Sequence, residues 1–319
     1  MLSRYVCFSL QYLGVFMKKV NNTMHKIGTK NHFQRFYDIN GWGFVFPAVA
    51  LVALFMIYPI LNSLWMSLHS GRGVLVEFSG FDNVIRLFHD PVFTKALSNT
   101  LIFLIIQVPI MIFLALMLSS CLNSPNLKFR ALFRLAIFLP CVTSLVAYSI
   151  LFKSMFAYDG IVNSFLLWIG IVSDPIPWMS DPFWAKVTII VAITWRWMGY
   201  NMIFFLSAMQ NIDKSIYEAA RIEGVSSIKQ FFFITVPLLK PVILFTTVMS
   251  TIGTLQLFDE VVNITGGGPA NETLTLSMYI YNLSFKFVPN FGYAATVSYV
   301  IVFIAALLAI LQFKLAKDK

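Results

Sequence analysis

The strongest constraint on this chain is the length of its charge-free stretches. Residues 96–127, 135–152 and 287–313 contain no Asp, Glu, Lys or Arg. A helix crosses the hydrocarbon layer of a bilayer with roughly 20 apolar residues, so each stretch is long enough or nearly so. Of the 319 residues, 58% are hydrophobic and only 12% charged, more apolar surface than one soluble core encloses. Lipid must cover much of it. The expected fold is all-α and polytopic, with six transmembrane helices at about residues 41–63, 99–121, 135–155, 187–209, 241–262 and 294–313. Pro47, Pro59, Pro109 and Pro140 fall inside or near the ends of these spans, where a membrane bundle tolerates proline if neighbours satisfy the freed carbonyls.

The net charge of +9 raises the question of nucleic acid, but the basic residues lie between apolar spans and form no stripe, so no nucleic-acid partner is expected. Their distribution reports topology instead. One set of segments carries Arg4, Lys18, Lys19, Lys26, Lys30 and Arg35, then Lys128, Arg130 and Arg134, then Lys214, Arg221, Lys229 and Lys240, and finally Lys314, Lys317 and Lys319. The alternate set carries only Arg72, Arg86, Lys95, Lys153, Lys186 and Lys286. By the positive-inside rule both termini and the loop at 210–240 are expected in the cytoplasm. Residues 1–40 form a cytoplasmic N-terminal segment in this reading, and residues 41–319 the six-helix domain. Residues 1–16 are too short to span and lack a small-residue cleavage site, and Met17-Lys18-Lys19 reads as a start of translation.

Cys7, Cys121 and Cys141 fit neither a disulfide framework nor a zinc spacing and read as free thiols. The four histidines show no metal-ligand spacing, and no metal site is expected. No paired carboxylates, nucleophile constellation or Walker-type loop is present, so no catalytic residue is assigned.

The inward loop has the most specific pattern. Asp213 or Ser215 can cap a short helix, Gly224 suits the left-handed position that ends it, and Ser226 can cap a second helix. Residues 228–236 are apolar and aromatic and are expected along the membrane surface until Pro237 turns the chain into the fifth span. Within this loop stand Glu218-Ala219-Ala220, Gly224, and then Ile234-Thr235-Val236-Pro237. These residues resemble the hallmark of the membrane subunits of binding-protein-dependent ABC importers, with Glu223 and Val236 in place of the commoner Asp and Leu. The run Ile264-Thr265-Gly266-Gly267-Gly268-Pro269, then Thr275 to Tyr281 and Phe291-Gly292-Tyr293-Ala294-Ala295, is similar to the sugar-importing branch, in the subunit related to the larger maltose permease subunit. The glycine run lacks the Gly-Lys-Ser/Thr ending of a phosphate cradle and is expected to be a turn entering the last span.

The resemblance implies a type I ABC importer permease fold and a place in the bacterial inner membrane. It further implies a di- or oligosaccharide substrate, a second permease subunit, two ATP-binding cassette subunits that bind the ATP, and an external sugar-binding protein, with no cofactor in this chain. It makes Tyr217, Glu218, Ala219, Ala220, Arg221, Glu223, Gly224 and Pro237 the ATPase-coupling segment: small Ala219 and Ala220 allow close docking, and Glu218 and Arg221 can pair across an interface.

Arg196 lies near mid-depth of the fourth span, where a cation is expensive and should face a watery cavity or a partner. Ser250, Gly253, Thr254 and Leu257 share a face of the fifth span. Sugars need hydroxyls and amides for their hydroxyl groups and aromatic faces for the apolar side of the ring. The resemblance places Met198, Gly199, Met202, Ser250, Thr254 and Leu257 in the substrate site, and Arg196, Tyr200, Asn201 and Gln256 are candidates from their own chemistry. Met202 and Leu257 stand where a maltose site carries polar or aromatic groups, which points away from maltose. Asp259 and Glu260 are candidates for an outer gate; Trp195 and Trp197 suit either the lipid interface or the pocket. A polyol or a sugar phosphate is the alternative substrate, the phosphate suiting Arg196. An ion-coupled transporter is the rival class, and it lacks a deep carboxylate.

Overall fold

The computed structural model describes residues 32–73, 75–124 and 127–317. The expectations for residues 1–16, Met17 and Cys7 lie outside the described residues. The chain divides into two compact units, residues 1–62 and 63–319. The first contains α1 (His32–Val52), a π-helical turn (Ala53–Ile57) and the beginning of α2 (Tyr58–Ser67). Pro59 follows that π turn as Pro237 follows the π turn at Phe231–Thr235. A proline has no N–H for the carbonyl four residues back, and the helix widens where that bond is missing.

The second unit opens with a hairpin, β1 (His69–Arg72) antiparallel to β2 (Leu75–Phe78), and α3 (Asp82–His89). Two long helices follow the same local rule. In α4 (Pro91–Asn123) the Asp90 carboxylate accepts from the N–H groups of Val92 and Phe93, and in α8 (Pro182–Gln210) Asp181 accepts from Phe183 and Trp184. Each places proline at the first helical position, where its missing N–H costs nothing. Burial by itself would raise the Asp90 carboxyl. Hydrogen bonds from the hydroxyls of Tyr279 and Tyr293 and from the Phe93 and Val92 N–H groups outweigh it and hold the group below its usual range.

Between them lie α5 (Arg130–Val142), α6 (Leu145–Met155) and α7 (Ile161–Trp168). After α8 come α9 (Lys214–Ile222), α10 (Ser227–Gln230), the π turn, α11 (Val236–Leu238), α12 (Lys240–Leu255), α13 (Asp259–Ile264), α14 (Leu276–Tyr281), a third π turn (Asn282–Lys286) and α15 (Phe291–Lys317). Among the described residues four helices are long and apolar enough to cross a membrane unbroken: 41–67, α4, α8 and α15. Two bent pairs bring the count to six if each is one span.

The third span is therefore not one straight helix over 135–155: α5 and α6 meet at 101°. The Thr143 hydroxyl donates to the Pro140 carbonyl at 2.7 Å, competing with the backbone donor that would extend α5. The fifth span does not run to 262 but ends at Leu255. Beyond it the Thr275 hydroxyl holds the Leu257 carbonyl at 2.6 Å, and α13 starts afresh at Asp259. The glycine run likewise does not lead straight into the last span, because α14 intervenes and α15 begins at Phe291.

Of the four unbroken helices α8 is the most enclosed, with 56% of its apolar stretch buried against 39% for α4 and 22% for α15. One buried cluster joins Phe103 of α4 to Ile189, Ala192 and Ile193 of α8; a second joins Val108 and Ile112 to Met202, Phe205 and Leu206. In a bilayer such contacts gain packing rather than escape from water, so small residues and polar bonds decide which faces meet. Gly199 is such a point: a Cβ there would stand 2.0 Å from the Ile137 carbonyl oxygen of α5.

Candidate functional site

Where α4, α8 and α12 meet, they line a cavity of about 420 Å³ whose wall continues onto Asp259 and Glu260 of α13. Each helix contributes neutral polar groups. Gln107 of α4 is 1% exposed, Asn201 of α8 3% and Thr254 of α12 6%, so their amides and hydroxyl face one another out of contact with bulk solvent. The Thr254 hydroxyl lies 3.1 Å from Gln107 Oε1 and 2.9 Å from the Ser250 carbonyl, and one hydrogen serves both. Asn201 Nδ2 donates to the Trp197 carbonyl at 3.2 Å and approaches Met111 Sδ at 3.6 Å, while Gln107 Nε2 reaches the same sulfur at 3.2 Å. Ser250 Oγ stands 3.5 Å from Asn201 Oδ1. A thioether is a weak acceptor, so both amides are incompletely bonded and can exchange these contacts for stronger ones.

Aromatic surface lines the same space. Trp197 and Tyr200 meet edge to face at 6.0 Å, and Phe258 lies beyond them. Ring faces beside amides and hydroxyls suit a neutral ligand with one apolar and one hydroxyl-bearing side.

Tyr200, Asn201, Ser250, Thr254, Gln256 and Leu257 thus come together on the cavity wall, with Asp259 and Glu260 at its end. Glu260 is buried and accepts from Trp197 Nε1 at 3.3 Å; Asp259 is exposed. Because α12 stops at Leu255, both carboxylates belong to the separate helix α13 rather than to the end of the span.

Arg196, Met198, Gly199 and Met202 do not line the cavity. Met202 is fully buried in the second apolar cluster, Met198 packs against that cluster, and Gly199 abuts α5. Arg196 points to the break in the third span, where Nη2 donates to the Thr143 carbonyl at 3.1 Å. Its guanidinium lies 4.9 Å from the Tyr148 ring centre and 5.7 Å from that of Trp197. A carbonyl freed by the bend and two ring faces are what make a 5% exposed cation tolerable there. Trp195 stacks on Tyr148 at 6.0 Å in the same box.

Gln107 and Met111 were not singled out in the sequence. Gln107 had a signal: it is the one amide between Thr100 and Leu122 of a charge-free run, and an uncharged polar group at mid-span needs a partner or a ligand as a charge does.

The loop at 210–240 is built from local rules. Asp213 caps α9, accepting from the Ser215 N–H at 2.9 Å, a bond that holds its carboxyl below the usual range. At the other end Gly224 adopts φ +73°, Val225 N–H bonds to the Ala220 carbonyl, and Gly224 N–H to that of Arg221, the paired closure of a Schellman motif. Ser226 precedes α10 but makes no side-chain cap bond. Tyr217 meets Thr235 at 2.9 Å, tying α9 to the π turn before Pro237, and Ser227–Leu238 meets α12 at 73°. Ala220 is buried against the chain, whereas Glu218, Ala219, Arg221 and Glu223 are exposed and Ile222 is 87% exposed. An isolated isoleucine so placed has nothing of its own to pack on.

On the opposite side, Glu272 joins α4 to α8: Lys95 at 2.5 Å and Lys186 at 2.6 Å share its two oxygens. No group of three or more His, Cys, Asp and Glu that could hold a metal occurs among the described residues.

The chain is similar to known proteins. The chain is 64% identical over 293 residues to the lactose transport system permease protein LacF of Rhizobium radiobacter, covering 91% of this chain and 98% of that one. It is 30% identical over 245 residues to the trehalose/maltose transport system permease protein MalF of Thermococcus litoralis, covering 76% and 82%. Its fold matches a chain of a crystal structure of a bacterial ABC transporter involved in the import of the acidic polysaccharide alginate. The TM-score is 0.77 at 21% identity, over 90% of this chain and 100% of that one. The model of one family, described as binding-protein-dependent transport system inner membrane component, matches residues 88–317. On a match across that much of its length, the chain belongs to the family of binding-protein-dependent transport system inner membrane components.

Proposed function

We propose that this chain is one of two permease subunits of an ATP-driven importer for a neutral disaccharide of the lactose class, and that it supplies half of the translocation path. The cavity between α4, α8 and α12 carries this reading: three buried neutral polar residues lie beside the Trp197 and Tyr200 rings. The relative that shares 64% identity is named for lactose transport. A sugar phosphate suits the cavity less well, because its charged wall residues are the carboxylates Asp259 and Glu260 and Arg196 faces elsewhere.

In this reading both termini and the loop at 210–240 lie in the cytoplasm of a bacterial inner-membrane protein. The exposed face of α9 docks on one of two separate ATPase subunits, which bind the ATP. A sugar-loaded binding protein delivers substrate from outside, at the end where Glu272 ties α4 to α8. The chain itself breaks no bond. Closure of the ATPases pulls α9, and Tyr217 and Thr235 pass the motion to the bend before α12, whose Ser250 and Thr254 contact the sugar. Reconstituting the chain with its partner subunits and binding protein should give saturable lactose uptake that needs ATP. Uptake that persists without ATP and collapses with an ion gradient overturns the proposal.

A further inference from the structure

We propose that the chain carries a binding site for the phosphate headgroup of an anionic phospholipid, between the end of α4, the start of α5 and α9. A cavity of about 690 Å³ opens there. Its wall holds Arg130 and Arg134 from the first turns of α5 and Lys214 and Arg221 from α9, against one carboxylate, Glu218. Among the described residues none of the four cations forms an ion pair. Arg134 donates one bond, from Nη2 to the Leu122 carbonyl at 3.3 Å, and its buried Nε has no partner. Four cations gathered on one concave wall repel one another unless an anion joins them, and guanidinium groups suit phosphate oxygens.

The backbone adds to the field. Helix α5 starts after Phe129 with no side-chain cap and no acidic residue in its first turn, so its positive end is uncompensated at Arg130, which is on the cavity wall. The apolar surface beside the cavity points to a lipid rather than a soluble phosphate. Phe129, Leu132, Phe133, Leu135 and Leu139 of α5 and its N-cap are between 47% and 75% exposed, continuing from the basic mouth along the span. Headgroup charge at the mouth and acyl chains along α5 match an anionic phospholipid at the end of a span. Because Arg130 and Arg134 belong to α5 while Lys214 and Arg221 belong to α9, one bound phosphate clamps the loop helix to the bundle. Nothing in this site depends on which sugar the chain carries.

Native mass spectrometry of the purified full chain, offered equal amounts of phosphatidylglycerol and phosphatidylcholine, reads the site directly. The wild type should retain phosphatidylglycerol at least about tenfold better, since each basic residue near a headgroup contributes on the order of a fivefold effect. R130Q/K214Q should bring the two lipids close to parity, while K314Q/K317Q, at the end of α15, should keep the preference. Should the double variant fail to fold, K214Q alone, at an exposed position, should still reduce the ratio several-fold. Equal retention of both lipids by the wild type, or a preference that survives R130Q/K214Q, overturns the site. Displacement of the lipid by millimolar inorganic phosphate overturns the lipid assignment in favour of a soluble phosphate.

Discussion

Thr254 of α12 donates its hydroxyl hydrogen toward Gln107 Oε1 of α4 at 3.1 Å, a bond between residues 147 positions apart that both line the cavity. Thr254 has a second acceptor in the Ser250 carbonyl. Loss of Gln107 therefore leaves no buried hydroxyl stranded, and the bond can open to admit a ligand.

Gln107→Leu should raise KM for sugar uptake about tenfold, the effect of one or two lost hydrogen bonds to ligand at about 1 kcal/mol each, with little change in assembly. Uptake by the reconstituted complex, measured across sugar concentrations, checks this. An unchanged KM removes Gln107 from the site.

Arg196→Met should leave KM within about twofold and lower the maximal rate. The guanidinium supports the bend between α5 and α6 rather than touching the cavity, and an apolar side chain of similar length replaces a buried cation at little net cost. A changed order of preference among sugars would place Arg196 in contact with substrate after all.

If α9 docks on the ATPase as proposed, Glu218→Lys should allow insertion and assembly but abolish stimulation of ATP hydrolysis by the loaded binding protein, because the exposed face of α9 would then present the wrong charge. The assay is ATP hydrolysis with and without loaded binding protein. Normal stimulation in that variant removes Glu218 from the docking surface.

Glu272→Gln should lower thermal stability in detergent at neutral pH, by less than about 1 kcal/mol for each partly exposed pair lost. Hydrogen bonds from Lys186 and then Lys95 hold the Glu272 carboxyl below the ordinary value of 4.5. A depressed pKa in the folded state gives stability that is full above 4.5 and lost as pH falls through the lower folded value. Melting curves should therefore separate wild type from E272Q at pH 7 and bring them together in acid. A gap that stays constant across that range refutes the ion-pair account.

Membrane class, the approximate spans and the ends of α9 were all legible before the structure. They depend on local chemistry. An uncharged run of about 20 residues has no favourable home but lipid. Asp213 can reach only the N–H groups two or three residues ahead, and Gly224 takes a left-handed φ that a side chain would strain. On α12 the cavity wall carries Ser250 and Thr254, which share a helical face in the sequence; Leu257 lines it from beyond the end of that helix. On α8 Tyr200 and Asn201 line the cavity, whereas Gly199 abuts α5 and Met198 and Met202 pack in the second apolar cluster.

By itself, then, the sequence determined what each segment tolerates: where lipid is required, and where a short helix such as α9 begins and ends. Tertiary structure alone decided where the spans break and what the polar groups face. The Thr143 carbonyl is usable because Arg196, 53 residues away, reaches it, and α12 stops where Thr275 holds the Leu257 carbonyl. Gln107 becomes part of a site only because Thr254 arrives opposite it. Local composition marks Gln107 and Arg196 as groups that need a partner, but it does not say which distant residue supplies one.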